Sequence, residues 1–265
     1  MAKFIKYAKQ VPLVGAAIIT KKLKKVLLKR VLNPEPEIDY PALRPGDVKN
    51  ARLFANRSSM IEAFRPLLQG KRIAELGVAF GDFSEFLIKI LEPEQFFAFD
   101  TFTLHHAPIL WRKPSKEVFS DMTHREYYAK RFSKSSTPVV IEEGDGSANL
   151  RKYPDKYFDM IYVDADHAYG SVKRDAEISK QKVKDDGILI FNDYIMFDHY
   201  AVFDPKPGVW YGVVQVVNQL VVYDDFEVIG FALAKHMFCD IAVRRRRSDR
   251  NKPESLVRHD HAQQP

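Results

Sequence analysis

Two short polar clusters, Asp164-Ala165-Asp166-His167 and Asn192-Asp193, each follow an apolar run, Met160–Val163 and Ile188–Phe191. Carboxylates and an amide directly behind buried strands, with an imidazole beside them, can bind a hard cation or take a proton from a substrate. If the two runs are neighbouring parallel strands, their carboxyl ends face one crevice, and three hard oxygen donors then point at one place. That place suits Mg²⁺, which prefers carboxylate and amide oxygens and keeps waters for a substrate to displace. The competing explanation is that strand-end acids are solvated caps.

A second stretch must hold whatever reacts there. Lys71–Leu87, KRIAELGVAFGDFSEFL, reads as a buried strand (Arg72–Leu76), a glycine turn, and a helix from about Asp82. Gly77 and Gly81 leave room for a ligand to approach the backbone, and the helix start offers free N–H groups and the positive end of its dipole. A dinucleotide site would need G-x-G-x-x-G, whereas the spacing here is E-x-G-x-x-x-G with Glu75 inside the strand end. A further apolar strand, Gln95–Phe99, ends in Asp100, which can accept both hydroxyls of a ribose. Strand Pro138–Glu142 is followed by GDGSANL, where a turn capped by Asp145 or Ser147 accounts for the residues without any ligand.

The E-x-G-x-x-x-G spacing resembles motif I of the class I S-adenosylmethionine-dependent methyltransferases. The resemblance implies that Glu75, Gly77 and Gly81 line the methionine end of that cofactor, with Ser84 in the first helical turn behind them. It implies Asp100 at the ribose, Asp145 and Gly146 at the adenine, and Asp166 near the cofactor. The strand-end clusters are similar to those of metal-dependent O-methyltransferases of the catechol and caffeoyl-coenzyme A types, and more closely to the bacterial sugar O-methyltransferases of the macrocin and novobiocin pathways. By that likeness Asp164, Asn192 and Asp193 would bind Mg²⁺, and His167 would stand where the catechol type has a lysine base, with Asp164 as the rival base. The order Asn-Asp departs from the Asp-Asn or Asp-Asp of those relatives. The implied activity is methyl transfer to a hydroxyl of a sugar, a glycan or another small molecule. The alternatives are a metal-independent methyltransferase and a non-catalytic scaffold of the same fold.

The remaining chain bounds these readings. At 265 residues and 46% hydrophobic content it suits one large α/β domain with extensions. The expected fold is a Rossmann-like, doubly wound, seven-stranded, mostly parallel sheet closed by a C-terminal antiparallel hairpin, Phe226–Ala234 and Met237–Arg244. The single Cys239 and the lack of zinc spacing point to a reducing compartment, most simply the cytoplasm. Net charge is +6, yet residues 1–32 hold nine Lys/Arg and no acid, and residues 244–265 hold seven Lys/Arg against three acids. The body between is acidic, which argues against a nucleic-acid groove.

Ile18–Leu32 forms a basic amphipathic pattern. It suits either an anionic membrane surface, with peripheral association, or packing against the domain or a partner subunit in a homo-oligomer. Val11–Ile19 is too short to cross a bilayer. The expected organisation is a basic segment at 1–32, a proline-rich linker at 33–46, the catalytic domain at 47–244 and a basic, disordered tail at 245–265. Residues 103–136 form a long insertion with a helix expected over Glu117–Phe132.

Overall fold

The computed structural model describes residues 40–195, 211–233 and 239–247. The basic segment 1–32, most of the proline-rich linker and the tail beyond residue 247 lie outside them, as does the turn expected at Lys235-His236. In chain order the first elements are β1 (Arg52–Phe54), α1 (Arg57–Leu68), β2 (Arg72–Leu76), α2 (Asp82–Leu91) and β3 (Gln95–Asp100). The insertion follows with β4 (Ile109–Leu110), β5 (Lys113–Pro114), α3 (Ser115–Val118) and α4 (His124–Phe132). Then come β6 (Val139–Glu143), α5 (Gly146–Leu150), β7 (Phe158–Val163), α6 (Tyr169–Lys182) and β8 (Val183–Phe191). The chain closes with α7 (Val213–Tyr223), β9 (Phe226–Ala232) and β10 (Asp240–Arg245).

The α/β fold has a mostly parallel central sheet in the order β1-β9-β10-β8-β7-β2-β3-β6. Only β10 runs against its neighbours, β8 and β9, so the expected hairpin is present. Among the described residues the sheet has eight strands rather than seven, because the three-residue β1 adds to the edge of β9 in parallel. Strand residues alternate between two cores, as a pleated sheet covered on both faces requires. Phe97, Ile161 and Leu189 face α6 and α7 with Val172, Ala176 and Leu220. Phe96, Met160 and Ile190 face α1 and α2 with Met60, Phe64 and Leu87. Among the described residues no helix is long and apolar enough to cross a membrane.

Several local expectations shift. Helix α1 is capped by Asn56, whose side chain accepts from the Ser59 N–H at 2.8 Å. The single helix expected over Glu117–Phe132 is two, α3 and α4, separated by Ser120 and Asp121 with φ of +51° and +59°. A Thr123/Glu126 capping box starts α4. Gly187 lies inside β8, where a Cβ would come 2.8 Å from the Asp159 carbonyl oxygen. Arg244 and Arg245 belong to β10, and Arg246 donates to the buried Asp47 at 2.6 Å, so this part of the arginine run is built into the body.

Candidate active site

The carboxyl ends of β7, β2, β3 and β6 lie side by side, and a cavity of about 490 Å³ opens over them. The glycine turn after β2 forms its floor. Gly77 has φ +83°, and a Cβ there would sit 2.1 Å from the Asp164 carbonyl oxygen; the residue must be glycine because the end of β7 passes against it. The Asp100 carboxylate accepts the N–H groups of Val78 at 2.9 Å and Ala79 at 3.3 Å, and that of Phe102 at 2.8 Å. It therefore pins the turn as well as facing the cavity.

The insertion holds the same turn from the other side. His124 Nε2–H donates to the Ala79 carbonyl at 2.5 Å, and Arg131 donates to the Phe80 carbonyl at 2.8 Å. Gly81 caps α2, and its missing side chain makes room for the Tyr128 and Phe132 rings of α4. The motif glycine thus accommodates a protein ring and does not line the cavity. Sequence reasoning missed His124 and Arg131; the Thr-x-x-Glu box before them is the signal that could have placed α4.

Glu75 and Ser84 are also absent from the cavity wall. Glu75 is 1% exposed and accepts from the Ser84 hydroxyl at 2.5 Å beneath the turn. Burial pushes its carboxyl up to about 8, against the opposing effect of the Ser84 hydrogen bond. The other residues assigned to the cofactor, Gly77, Asp100, Asp145, Gly146 and Asp166, do line the cavity. Asp145 caps α5 by accepting from the Ala148 N–H at 2.7 Å. The Ser171 hydroxyl and the Ala168 N–H hold Asp166 below the usual carboxylate range. Asp100, Asp145, Asp164 and Asp166 face the cavity, with Arg174 the one lining base among the described residues. That field repels a pyrophosphate and attracts a ligand carrying sulfonium and ammonium charges, so the wall suits S-adenosylmethionine.

At the β7 end, His167 places Nε2 3.6 Å from Asp164 Oδ1 and 3.5 Å from Asp193 Oδ2. The ring stacks on Tyr211 at 4.7 Å between centroids. Burial works against the charged imidazolium, but the facing carboxylates outweigh it and raise the His167 pKa above its ordinary value. Burial also pushes Asp193 up, to about 6. Arg57, unnoticed in the sequence, extends Nη1 to 4.0 Å from Asp164 Oδ2 while lying over the Phe83 ring.

Asn192 does not join this group. Its side-chain N–H₂ donates to Asp240 Oδ1 at 2.9 Å and lies 3.4 Å from the Tyr162 hydroxyl, in a buried network. Of the expected Mg²⁺ set of Asp164, Asn192 and Asp193, the Asn192 amide nitrogen is thus tied to β10, and the His167 imidazole stands between the two carboxylates. Among the described residues no group of three or more His, Cys, Asp or Glu side chains is arranged to hold a metal ion.

Residues 74–194 match the family model described as "Methyltransferase domain". A comparison with curated proteins gave no match. Among solved structures, the chain is similar to the O-methyltransferase TomG of Streptomyces achromogenes, at 16% identity over 83% of this chain and 95% of that one, with a TM-score of 0.49. It is similar to the Podospora anserina methyltransferase PaMTH1, at 17% identity over 72% and 78%, with a TM-score of 0.46. A ribosomal protein L11 methylase from Lactobacillus delbrueckii subsp. bulgaricus gives 12% identity over 72% and 77%, with a TM-score of 0.45. The matched stretch runs from inside β2 to just past Asp193 and contains the turn, the acidic cavity wall and both strand-end clusters, and the match supports reading the chain as a methyl-transferring enzyme.

Proposed function

We propose that the protein moves the methyl group of S-adenosylmethionine onto a hydroxyl oxygen of a small-molecule acceptor, with a sugar or glycan as the class favoured by the sequence resemblance. The observation that carries the chemistry is the Asp164–His167–Asp193 cluster at the β7 end of the acidic cavity. Bound S-adenosylmethionine would supply an electrophilic sulfonium methyl, and S-adenosylhomocysteine would depart as the acceptor oxygen takes that methyl in line. Gly77, Asp100, Asp145, Gly146 and Asp166 are the residues that would hold it.

Asp164 is the better-placed base. It faces the cavity, whereas His167 Nε2 is buried between two carboxylates that favour its charged form. As the new C–O bond forms, the acceptor's proton passes to the Asp164 carboxylate, and the neighbouring His167 ring and Arg57 fix that carboxylate's orientation. His167 then acts as a positioning residue, reversing its expected rank against Asp164. No step is routed through a metal.

The test is turnover of methyl-labelled S-adenosylmethionine with a panel of sugar acceptors. Asp164→Asn should lower turnover by at least ~100-fold while S-adenosylhomocysteine affinity stays within about threefold. Turnover unchanged in that variant would remove Asp164 from the chemistry. Activity lost in EDTA and restored by Mg²⁺ would show that the strand-end residues rearrange around a cation.

A further inference from the structure

The most exposed aromatic ring on the cavity wall has no role in the site as described. Trp111 is 68% exposed, yet it lines the cavity together with Leu104 and Asp100. It sits at the tip of the small hairpin formed by β4 and β5, where Leu110 pairs with Lys113 and only Trp111 and Arg112 make the turn. Both turn residues have positive φ, +45° and +69°. A two-residue turn of that hand ordinarily takes Asn-Gly, because a side chain is crowded there. The hairpin accepts this strain and projects an indole instead.

Its anchoring points the same way. The Trp111 ring meets Phe80 edge-on at 4.9 Å between centroids, and Phe80 packs in turn on Phe119 of the insertion. Phe80 belongs to the glycine turn, so the indole is braced against the cavity floor and not left as a free surface side chain.

The sheet order says which part of a ligand it meets. Asp164–Asp166 follow β7, the Leu76–Gly77 floor follows β2, Asp100–Leu104 follow β3, and Gly144–Gly146 follow β6. Three strand spacings of about 4.8 Å separate the ends of this row by roughly 14 Å. The reacting end is fixed at β7 by Asp164. Trp111 comes from the chain leaving β3, where the wall also carries the apolar Phe99 and Leu104. A flat, weakly polar ring system fits there, and charged groups fit at the acidic β7 end. We propose that Trp111 is the residue that recognises the nucleoside half of the bound cofactor, its indole lying against the adenosyl group above Asp100 and Leu104. This rests on the S-adenosylmethionine reading above.

Two probes divide the cofactor. S-adenosylhomocysteine carries both halves, and 5′-methylthioadenosine carries the nucleoside without the amino acid. Calorimetry on the full chain should show that Trp111→Ala weakens both by the same factor, between about fivefold and about 100-fold, the range for loss of one aromatic–base stack. Trp111→Tyr should recover most of the loss. In a Trp210→Phe background Trp111 is the only tryptophan, and its fluorescence should change on adding either probe.

Equal affinities in wild type and Trp111→Ala would overturn the assignment, as would a loss confined to S-adenosylhomocysteine. Because the residue is largely exposed, an unfolded Trp111→Ala variant is not expected; should it occur, Trp111 fluorescence in the Trp210→Phe protein that stays unaltered when either bound probe is added would decide against the proposal. Wild-type protein that binds neither probe would bring down the cofactor reading itself, a result distinct from either of these.

Discussion

The Asn192 side chain donates to Asp240 at 2.9 Å, joining the end of β8 to the start of β10, while the next residue, Asp193, turns with φ +54° toward His167. Adjacent polar residues thus do different jobs: Asn192 anchors the strand end and Asp193 faces the site. Asp240 is 2% exposed and also accepts from the Tyr162 hydroxyl at 2.6 Å. Asn192→Ala removes one donor from a buried carboxylate and should cost about 1–3 kcal/mol in urea unfolding. Asn192→Asp sets a second carboxylate against Asp240 and should destabilise more at pH 8 than at pH 5. A loss independent of pH would show that the two groups do not interact.

Glu75 makes stability depend on pH. Its native pKa is raised from 4.5 to about 8 by burial, so the folded state keeps a proton that the unfolded chain gives up. Stability from this group is therefore present at low pH and declines as pH climbs from about 4.5 to about 8, at up to ~1.4 kcal/mol per pH unit. Glu75→Gln cannot titrate. The difference in unfolding free energy, wild type minus variant, should fall across pH 5 to 8, and a flat difference would contradict the buried, protonated carboxyl.

The two motif glycines should respond unequally to alanine. Gly77→Ala drives a Cβ into the Asp164 backbone at 2.1 Å and should cost on the order of 3 kcal/mol or more, or prevent folding. Gly81→Ala meets the edges of the Phe132 and Tyr128 rings at 2.8 and 2.9 Å, which can turn aside, so its loss should be smaller. Thermal melts of the two variants compare them directly; an equal or reversed order would mean that β7 does not press on the turn.

Arg131 links the insertion to the glycine turn through Phe80, and to α2 through Asp82 at 2.7 Å and Glu85 at 2.6 Å. Arg131→Met removes this clamp. Hydrogen exchange at the amides of 78–81 should quicken, and S-adenosylhomocysteine affinity should drop by about tenfold, equivalent to ~1.4 kcal/mol. If neither changes, the insertion does not brace the cavity floor.

What the sequence determined by itself is the succession of local units. Apolar runs of strand length, the turn at Gly77, the acids at strand ends and the capping signals depend on residues a few positions apart, and period and propensity express them directly. That Asp100, Asp145, Asp164 and Asp166 share one wall is what the methyltransferase resemblance implied, and the parallel sheet sets their strand ends side by side. The tertiary structure decided how side chains divide at each strand end. Asn192 turns to Asp240 across 48 residues of chain, His124 reaches Ala79 across 45, and Arg57 approaches Asp164 across more than 100. Glu75 goes beneath the turn because Ser84 offers a hydroxyl in the interior. In each case the choice was made by whichever buried donor or acceptor needed a partner, and long-range packing, which no local spacing encodes, sets that need.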